Sequence, residues 1–495
     1  MPSFRNLCLP LAACFFFVPH VLAQSFVQRS GTHLTLDGAP FRFSGPNIEW
    51  LGLESYGPHD PFGPRYPSHF EIDDAMATAA EMGARVVRSQ TMGDTVGCPL
   101  CIEPESGKFN DAAFQASDYA IASAAKHNIR LIISLLGDCA TCTGGGLGQF
   151  LTWNHKQNLQ DFFTDPALIA AFERHVDAVL NHRNSITGVL YRDDPTILAW
   201  ENCNMCGIFA VLLHGDLGQV ARWSETIGKR IKQIDAHHLY LDTSGIFRGY
   251  PAALDNPSTD AAAFEEYPHW DGLLGPGQAP TTVETFSHDA AAVTSHGKVF
   301  IVNEFGWDLT NWKTHEDLQR LLDAMAHDTN ISGDGFWALQ AHLDNFGFQP
   351  IPADVHDPVY ATAGESGEWW ALYYPGQKTL VMTAEDMAAR AQMLRAHAYA
   401  MARAPVPKHA TPPAPVITST VFGSMVAWRG SAGAVSYSIE RLDASSGKWQ
   451  TICDKCATDM DDPWPDPHPA GFLGTQYRVT AYNADGAPSP PSQPR

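Results

Sequence analysis

Residues 298–306 read KVFIVNEFG, an apolar run that closes on Glu304. A glutamate at the end of a buried strand is desolvated by its neighbours yet reaches whatever lies above the strand, as a covalent nucleophile must. A solvated strand-end carboxylate in a salt bridge is the alternative. A second run ends Phe264-Glu265-Glu266-Tyr267-Pro268, adding two carboxyls and a phenol. Residues 200–205 read WENCNM and supply Glu201 and Asn204, Arg88 ends the run 85–88, and Trp337 ends Gly335-Phe336-Trp337. Singly, each has an ordinary use: Arg88 in an ion pair, Tyr267 and Trp337 in a core. Brought together, they would form a paired-carboxyl site, one group attacking and another moving a proton.

The elements that must position these residues follow from periodicity. Strand-like runs at 41–50, 85–90, 130–137, 197–204, 239–245, 263–268, 299–305 and 335–339 alternate with helical patterns, of which 70–82, 112–126, 166–181, 218–234, 314–327 and 384–403 are the clearest. Eight such repeats predict an α/β chain folded as a closed (β/α)8 barrel, the TIM-barrel architecture. In that architecture functional residues gather at the C-terminal ends of the strands, where all the candidates fall. A proline-rich stretch at 404–415 reads as a stiff linker. Beyond it, runs at 416–418, 424–428, 436–442 and 476–483 alternate apolar and polar residues, which predicts a small all-β sandwich over 416–495. The barrel is expected over 24–403.

Composition narrows the partners. At 495 residues the chain is longer than one core usually holds, in keeping with two domains. A formal net charge of −22 would repel nucleic acid and anionic membranes, leaving neutral or basic ligands. The N-terminus carries Arg5, an apolar stretch over 7–22 and a small residue at Ala23, the form of a signal peptide over 1–23. A lipoprotein-type cleavage before Cys14, after Leu11-Ala12-Ala13, is a lower-ranked reading, because the apolar core continues through Phe15, Phe16 and Phe17. The expected product is exported to the periplasm or medium, without a membrane span and monomeric.

With Cys8 and Cys14 removed, the other cysteines form four C-x-x-C pairs: Cys98/Cys101, Cys139/Cys142, Cys203/Cys206 and Cys453/Cys456. Cys203, Met205 and Cys206 could hold copper(I), and four thiolates from two loops could hold zinc. An oxidising destination favours local disulfides instead, and no metal or cofactor is expected.

The stretch 161–166 (DFFTDP), residues 179–182 (VLNH) and 190–197 (LYRDDPTI), leading into Ala199-Trp200, resemble the β-mannanases of glycoside hydrolase family 5. The resemblance runs from about residue 41 to 339. It implies retaining hydrolysis of a β-mannan or related β-glycan, with Glu304 as nucleophile and Asn204 bonding the sugar hydroxyl beside the reacting carbon. It implies also that Arg88 and Tyr267 orient Glu304 and that Trp337 stacks on the sugar. Trp153, Trp270, Trp307, Trp369 and Trp370 are candidates to line the cleft. Residues 437–441 and 477–483 resemble fibronectin type III strands.

Two positions depart from the family. Met205 stands where the family has its acid/base glutamate, and a thioether has no proton to give. Glu265 stands where the family has a histidine two positions before the tyrosine. Loss of the acid/base should cost roughly two to four orders of magnitude in rate. Glu201 is a poor substitute, because an extended strand would set it roughly 13 Å below position 205. Glu265, raised in pKa by a nearby carboxylate, is the candidate acid; pairing of Glu265 with Arg88 is the alternative. A carbohydrate-binding protein that has lost turnover is the competing function.

Overall fold

The computed structural model describes residues 25–54, 64–137, 145–204, 206, 216–244, 251–266, 282–306, 314–349, 371–378, 382–421, 424–459, 463–469 and 475–495. The signal peptide, Cys139/Cys142, Met205, Tyr267, Trp270, Trp307, Trp369 and Trp370 lie outside the described residues.

Eight parallel strands form the predicted barrel: Phe43–Pro46, Val86–Ser89, Arg130–Ser134, Ile197–Glu201, Leu239–Asp242, Ala261–Glu265, Val299–Phe305 and Ile331–Phe336, here called strands one to eight. Strand one pairs with strand eight, and the ring closes onto strand two where Ile48 N donates to Arg88 O at 2.9 Å. Bulky residues fill the interior below the strand ends, among them Phe43, Val86, Ile132, Leu198, Leu241 and Ile301. Val27, Leu34 and Phe41 belong to the same cluster, so the N-terminal hairpin covers the barrel's lower mouth. Gly333 makes this packing possible: a Cβ there would stand 2.2 Å from the Phe43 ring.

The outer helices start where the chain offers caps. His69–Glu81 begins with a capping box, Ser68 Oγ accepting from Glu71 N at 3.1 Å and Glu71 Oε2 accepting from Ser68 N at 2.8 Å. Pro166–Leu180 is capped by Asp165 ahead of a proline, and Ala384–Met401 by Thr383.

Two predicted strands are displaced. Strand eight runs Ile331–Phe336 rather than 335–339, because its glycines and Asp334 serve packing; Asp334 Oδ2 lies 2.9 Å from His397 Nε2. Strand six runs Ala261–Glu265 rather than 263–268, so its alanine run is strand. Strand four ends at Glu201 rather than continuing to 204.

After the last barrel helix, two three-stranded antiparallel sheets pack around Val426, Trp428, Tyr437, Ile439, Tyr477 and Val479. The strand Lys448–Ala457 was not anticipated, since its largely exposed residues lack alternation. The stretch 404–415 has no regular structure but is held from both sides. Arg395 Nη2 donates to Pro407 O at 3.1 Å, Ala410 N donates to Glu81 Oε2 at 2.9 Å, and Asn483 Nδ2 donates to His409 O at 3.0 Å. It is a packed seam and not a spacer.

The seam also contains a buried ion cluster. His342, fully buried, places Nδ1 2.9 Å from Asp74 Oδ2 on the first outer helix and Nε2 3.2 Å from Asp459 Oδ2 in the C-terminal module. Burial disfavours the imidazolium, but Asp74 and Asp459 outweigh it and push the pKa up to about 10. Arg429 of the module adds a pair with Asp344 at 2.8 Å.

The pairs Cys98–Cys101, Cys203–Cys206 and Cys453–Cys456 are disulfides, which removes their thiolates as metal ligands. Among the described residues no helix is long and apolar enough to cross a membrane.

Candidate active site

The site is built around one guanidinium. Arg88, 3 % exposed at the end of strand two, donates from Nε to Glu201 Oε2 at 2.6 Å and from Nη2 to Glu201 Oε1 at 2.7 Å, a bidentate pair. Its Nη1 donates to Glu304 Oε1 on strand seven and to Asn47 Oδ1 above strand one at 3.0 Å. Its Nη2 also donates to Asn204 Oδ1 at 2.5 Å. Turned to satisfy both ends of its amide, Asn303 accepts from Nε at 2.9 Å and from Nη2 at 3.2 Å. Burial alone would lower the pKa of this group; Glu201, then Glu304 and Glu265, hold it well above its ordinary value. The site therefore carries a permanent cation facing three carboxyls.

Glu201 departs from the extended-strand expectation. Because strand four stops there, the chain turns through Asn202 and Cys203, and Asn204 comes back to the same guanidinium. Asn202 Oδ1 accepts from Cys203 N at 2.9 Å and Thr243 N at 3.0 Å, and Asn204 N donates to Leu136 O at 2.8 Å. The Cys203–Cys206 disulfide closes the turn. Glu201 is fully buried and held on both oxygens, a counterion for Arg88 and not a mobile acid.

Glu265 and Glu304 are neighbours across strands six and seven, paired in register after a bulge between Val302 and Glu304. They are 3 % and 4 % exposed. Glu266 N donates to Glu304 O at 2.9 Å, fixing the two strand ends together. Trp337 follows strand eight, partly exposed, with its N–H donating to Phe305 O at 2.8 Å. Five predicted site residues thus lie at one end of the barrel: Arg88, Asn204, Glu265, Glu304 and Trp337. Trp153 does not join them; it packs edge-on to Phe150, at a centroid distance of 5.5 Å.

Sequence reading missed Asn47 and Glu49, because the stretch FRFSGP that leads to them is broken by Arg42, Ser44, Gly45 and Pro46 and is not an apolar run like the one before Glu304.

Removing the cation would expose its importance. Arg88→Ala leaves Glu201 and Glu304 buried without their partner, and a loss of about 3–5 kcal/mol is expected from a broken buried ion pair. A shifted urea midpoint checks it. An unchanged midpoint would mean that the carboxyls take up protons at no cost.

A family model described as "GH family 5 beta-mannosidase-like" matches residues 24–249. That span contains Arg88 and Asn204 but stops before Glu265, Glu304 and Trp337. Mannan endo-1,4-beta-mannosidase 1 of Oryza sativa subsp. japonica is 31% identical over 250 residues, 48% of this chain and 54% of that protein. Mannan endo-1,4-beta-mannosidase 2 of the same plant is 35% identical over 229 residues, 45% of this chain and 48% of that protein. The chain spans about half the length of these relatives. In fold it is similar to the endo-1,4-beta-mannanase of Rhizomucor miehei, with a TM-score of 0.56 and 24% identity, covering 77% of this chain and 100% of that one. A similar fold is that of the endo-beta-1,4-mannanase of Thermotoga petrophila, with a TM-score of 0.56 and 18% identity over 92% of this chain and 98% of that one. The chain is thus similar to GH family 5 β-mannosidase-like proteins over residues 24–249, and its barrel shares the fold of these mannanase structures.

Proposed function

We propose that the protein is an exported, retaining glycoside hydrolase acting on β-1,4-linked mannan or a related β-glycan, with Glu304 as nucleophile and Glu265 as acid/base in place of Met205. The observation that carries this reading is the convergence of Glu304 and Asn204 on Arg88 at the C-terminal end of the barrel, with Glu265 beside Glu304.

Arg88 favours the ionised form of Glu304 and limits its rotation. In the first step the Glu304 carboxylate attacks the anomeric carbon, the glycosidic C–O bond breaks, and the departing oxygen takes a proton from Glu265. In the second step water attacks the anomeric carbon of the glycosyl ester, its proton passes to the Glu265 carboxylate, and the bond from that carbon to Glu304 breaks, freeing the carboxylate. Asn204 and Trp337 act on the bound sugar, and Tyr267 is assigned the role of orienting Glu304. The protein works as a monomer, and its C-terminal module is a fibronectin type III-like unit carried by the barrel.

The test measures reducing ends from mannan and phenol release from activated aryl mannosides. Glu265→Gln is expected to lose roughly two to four orders of magnitude on mannan. It should keep the glycosylation step on the activated substrates, whose leaving group needs no proton. Unchanged mannan hydrolysis would remove Glu265 from the mechanism. Affinity for mannan without any product from the wild type would make the protein a binder.

A further inference from the structure

Glu49 sits just above strand one, on the same end of the barrel as Glu304. Its backbone carbonyl accepts from Thr91 Oγ1 at 2.6 Å, Thr91 N at 3.0 Å and Ser89 Oγ at 3.2 Å, so strand two clamps the residue. The side chain is only partly covered, yet its Oε2 atom is shielded from solvent and makes no hydrogen bond among the described residues. Beside it stands Gln340, 1 % exposed, whose amide faces the Glu49 carboxyl and has no other side-chain partner among the described residues. Buried polar groups rarely remain unsatisfied unless a ligand or water meets them. Here an acid and an amide that face each other lie beside the nucleophile, with the remaining hydrogen-bonding positions of both unfilled among the described residues.

The charges facing Glu49 are negative. Glu304 acts on it from strand seven, and Glu54, itself paired with Arg65, acts on it from its own loop. Arg88 of strand two is taken up by Glu201 and Glu304, and the segment after strand eight contributes the uncharged Gln340. Burial is the main cause that pushes the Glu49 pKa up to about 7, and Glu304 adds to it against the lowering effect of its own backbone N–H and of Gln340. Below neutrality the group is mostly a proton-bearing hydrogen-bond donor; above it the group becomes a carboxylate beside another carboxylate.

Resting on the reading of the site as a glycoside hydrolase, we propose that Glu49 and Gln340 form a sugar-hydroxyl-binding pair for the glycosyl unit that Glu304 attacks. Glu49 is then a specificity-determining contact: it donates to one hydroxyl oxygen and accepts from another, while Gln340 does the same with its amide. Ionisation of Glu49 removes the donor and weakens binding.

Steady-state kinetics on β-1,4-mannohexaose from pH 5 to 9 test this with the wild type, Glu49→Gln, Glu49→Ala and Gln340→Ala, each checked for an unchanged melting temperature. The wild-type KM should rise roughly tenfold from pH 6 to pH 8.5, about what one good hydrogen bond carries. Glu49→Gln keeps a neutral donor and acceptor and should flatten that rise. Glu49→Ala and Gln340→Ala should each raise KM at pH 6 by roughly tenfold. A wild-type KM–pH curve retained in Glu49→Gln, or an unchanged KM in Glu49→Ala, overturns the proposal. So does a fall in kcat that activated aryl mannosides restore, because that makes Glu49 the proton donor. If the wild type binds mannohexaose without turnover, the hydrolase reading fails by itself and the Kd from calorimetry replaces KM in the same comparison. Absence of both turnover and binding overturns both.

Discussion

Glu304→Ala is expected to lower kcat on mannan by roughly four to six orders of magnitude, the scale seen when a hydrolase loses its covalent nucleophile. The fold should tolerate the change, because Arg88 keeps its bidentate bond to Glu201. Azide is small enough to occupy the vacated space. With an activated aryl β-mannoside it should restore phenol release and leave an α-mannosyl azide, attack having come from the face where Glu304 stood. In Glu265→Gln the same anion should act on the mannosyl ester of Glu304 and give the β-azide. The two anomers assign nucleophile and acid/base separately. Glu304→Ala with activity within tenfold of the wild type would end the proposal that Glu304 is the nucleophile.

The second large effect is on stability, and it lies at the seam. His342→Ala strips the cation from between Asp74 and Asp459 and leaves two carboxyls buried beside a void. A loss of about 3–5 kcal/mol follows from the broken buried pair. Calorimetry should show it as separation of one cooperative transition into two, barrel and module, with the module melting earlier. The wild type should also show a pH dependence that the variant lacks. The folded-state pKa, about 10, is above the unfolded value of about 6.5. The imidazolium's contribution is therefore fully present below about 6.5 and fades as pH rises towards about 10. Equal melting of wild type and variant at pH 6 would show that the cluster does not join the two parts.

The barrel was legible because its strands are apolar runs and its helices begin at caps that can be read directly, such as Ser68 with Glu71 and Asp165 with Pro166. Strand eight was placed late, because Gly333 and Gly335 look like turn residues until Phe43 and Asn47 are seen to need the room. Glu304 and Arg88 were legible as a pair through the family resemblance, but the meeting of Asn204 and Glu201 on the same guanidinium was not. The extended-strand assumption carried strand four past Glu201 and so moved Glu201 away from Arg88. Glu49 was hidden for another reason: closure of a ring sets strand one beside strand seven only by way of strand eight, and no local pattern reports that. His342, Asp74 and Asp459 are far apart in the chain, and a lone buried histidine has no periodic signature.

The stretch 404–415 bears on how such a protein could be recombined. Carbohydrate-active proteins are often pictured as beads on a string, open to cutting and rejoining at proline-rich segments. Here Pro407, His409 and Ala410 are stitched to Arg395, Asn483 and Glu81, and His342 stands against Gly430 so closely that a Cβ on that glycine would lie 2.0 Å from the ring. A cut at the prolines would leave a charged imidazole on a bare surface. A graft that keeps the partnership has to carry both sides of the junction, Asp74 and His342 with Gly430 and Asp459, so the inheritable unit is the pair of folds together.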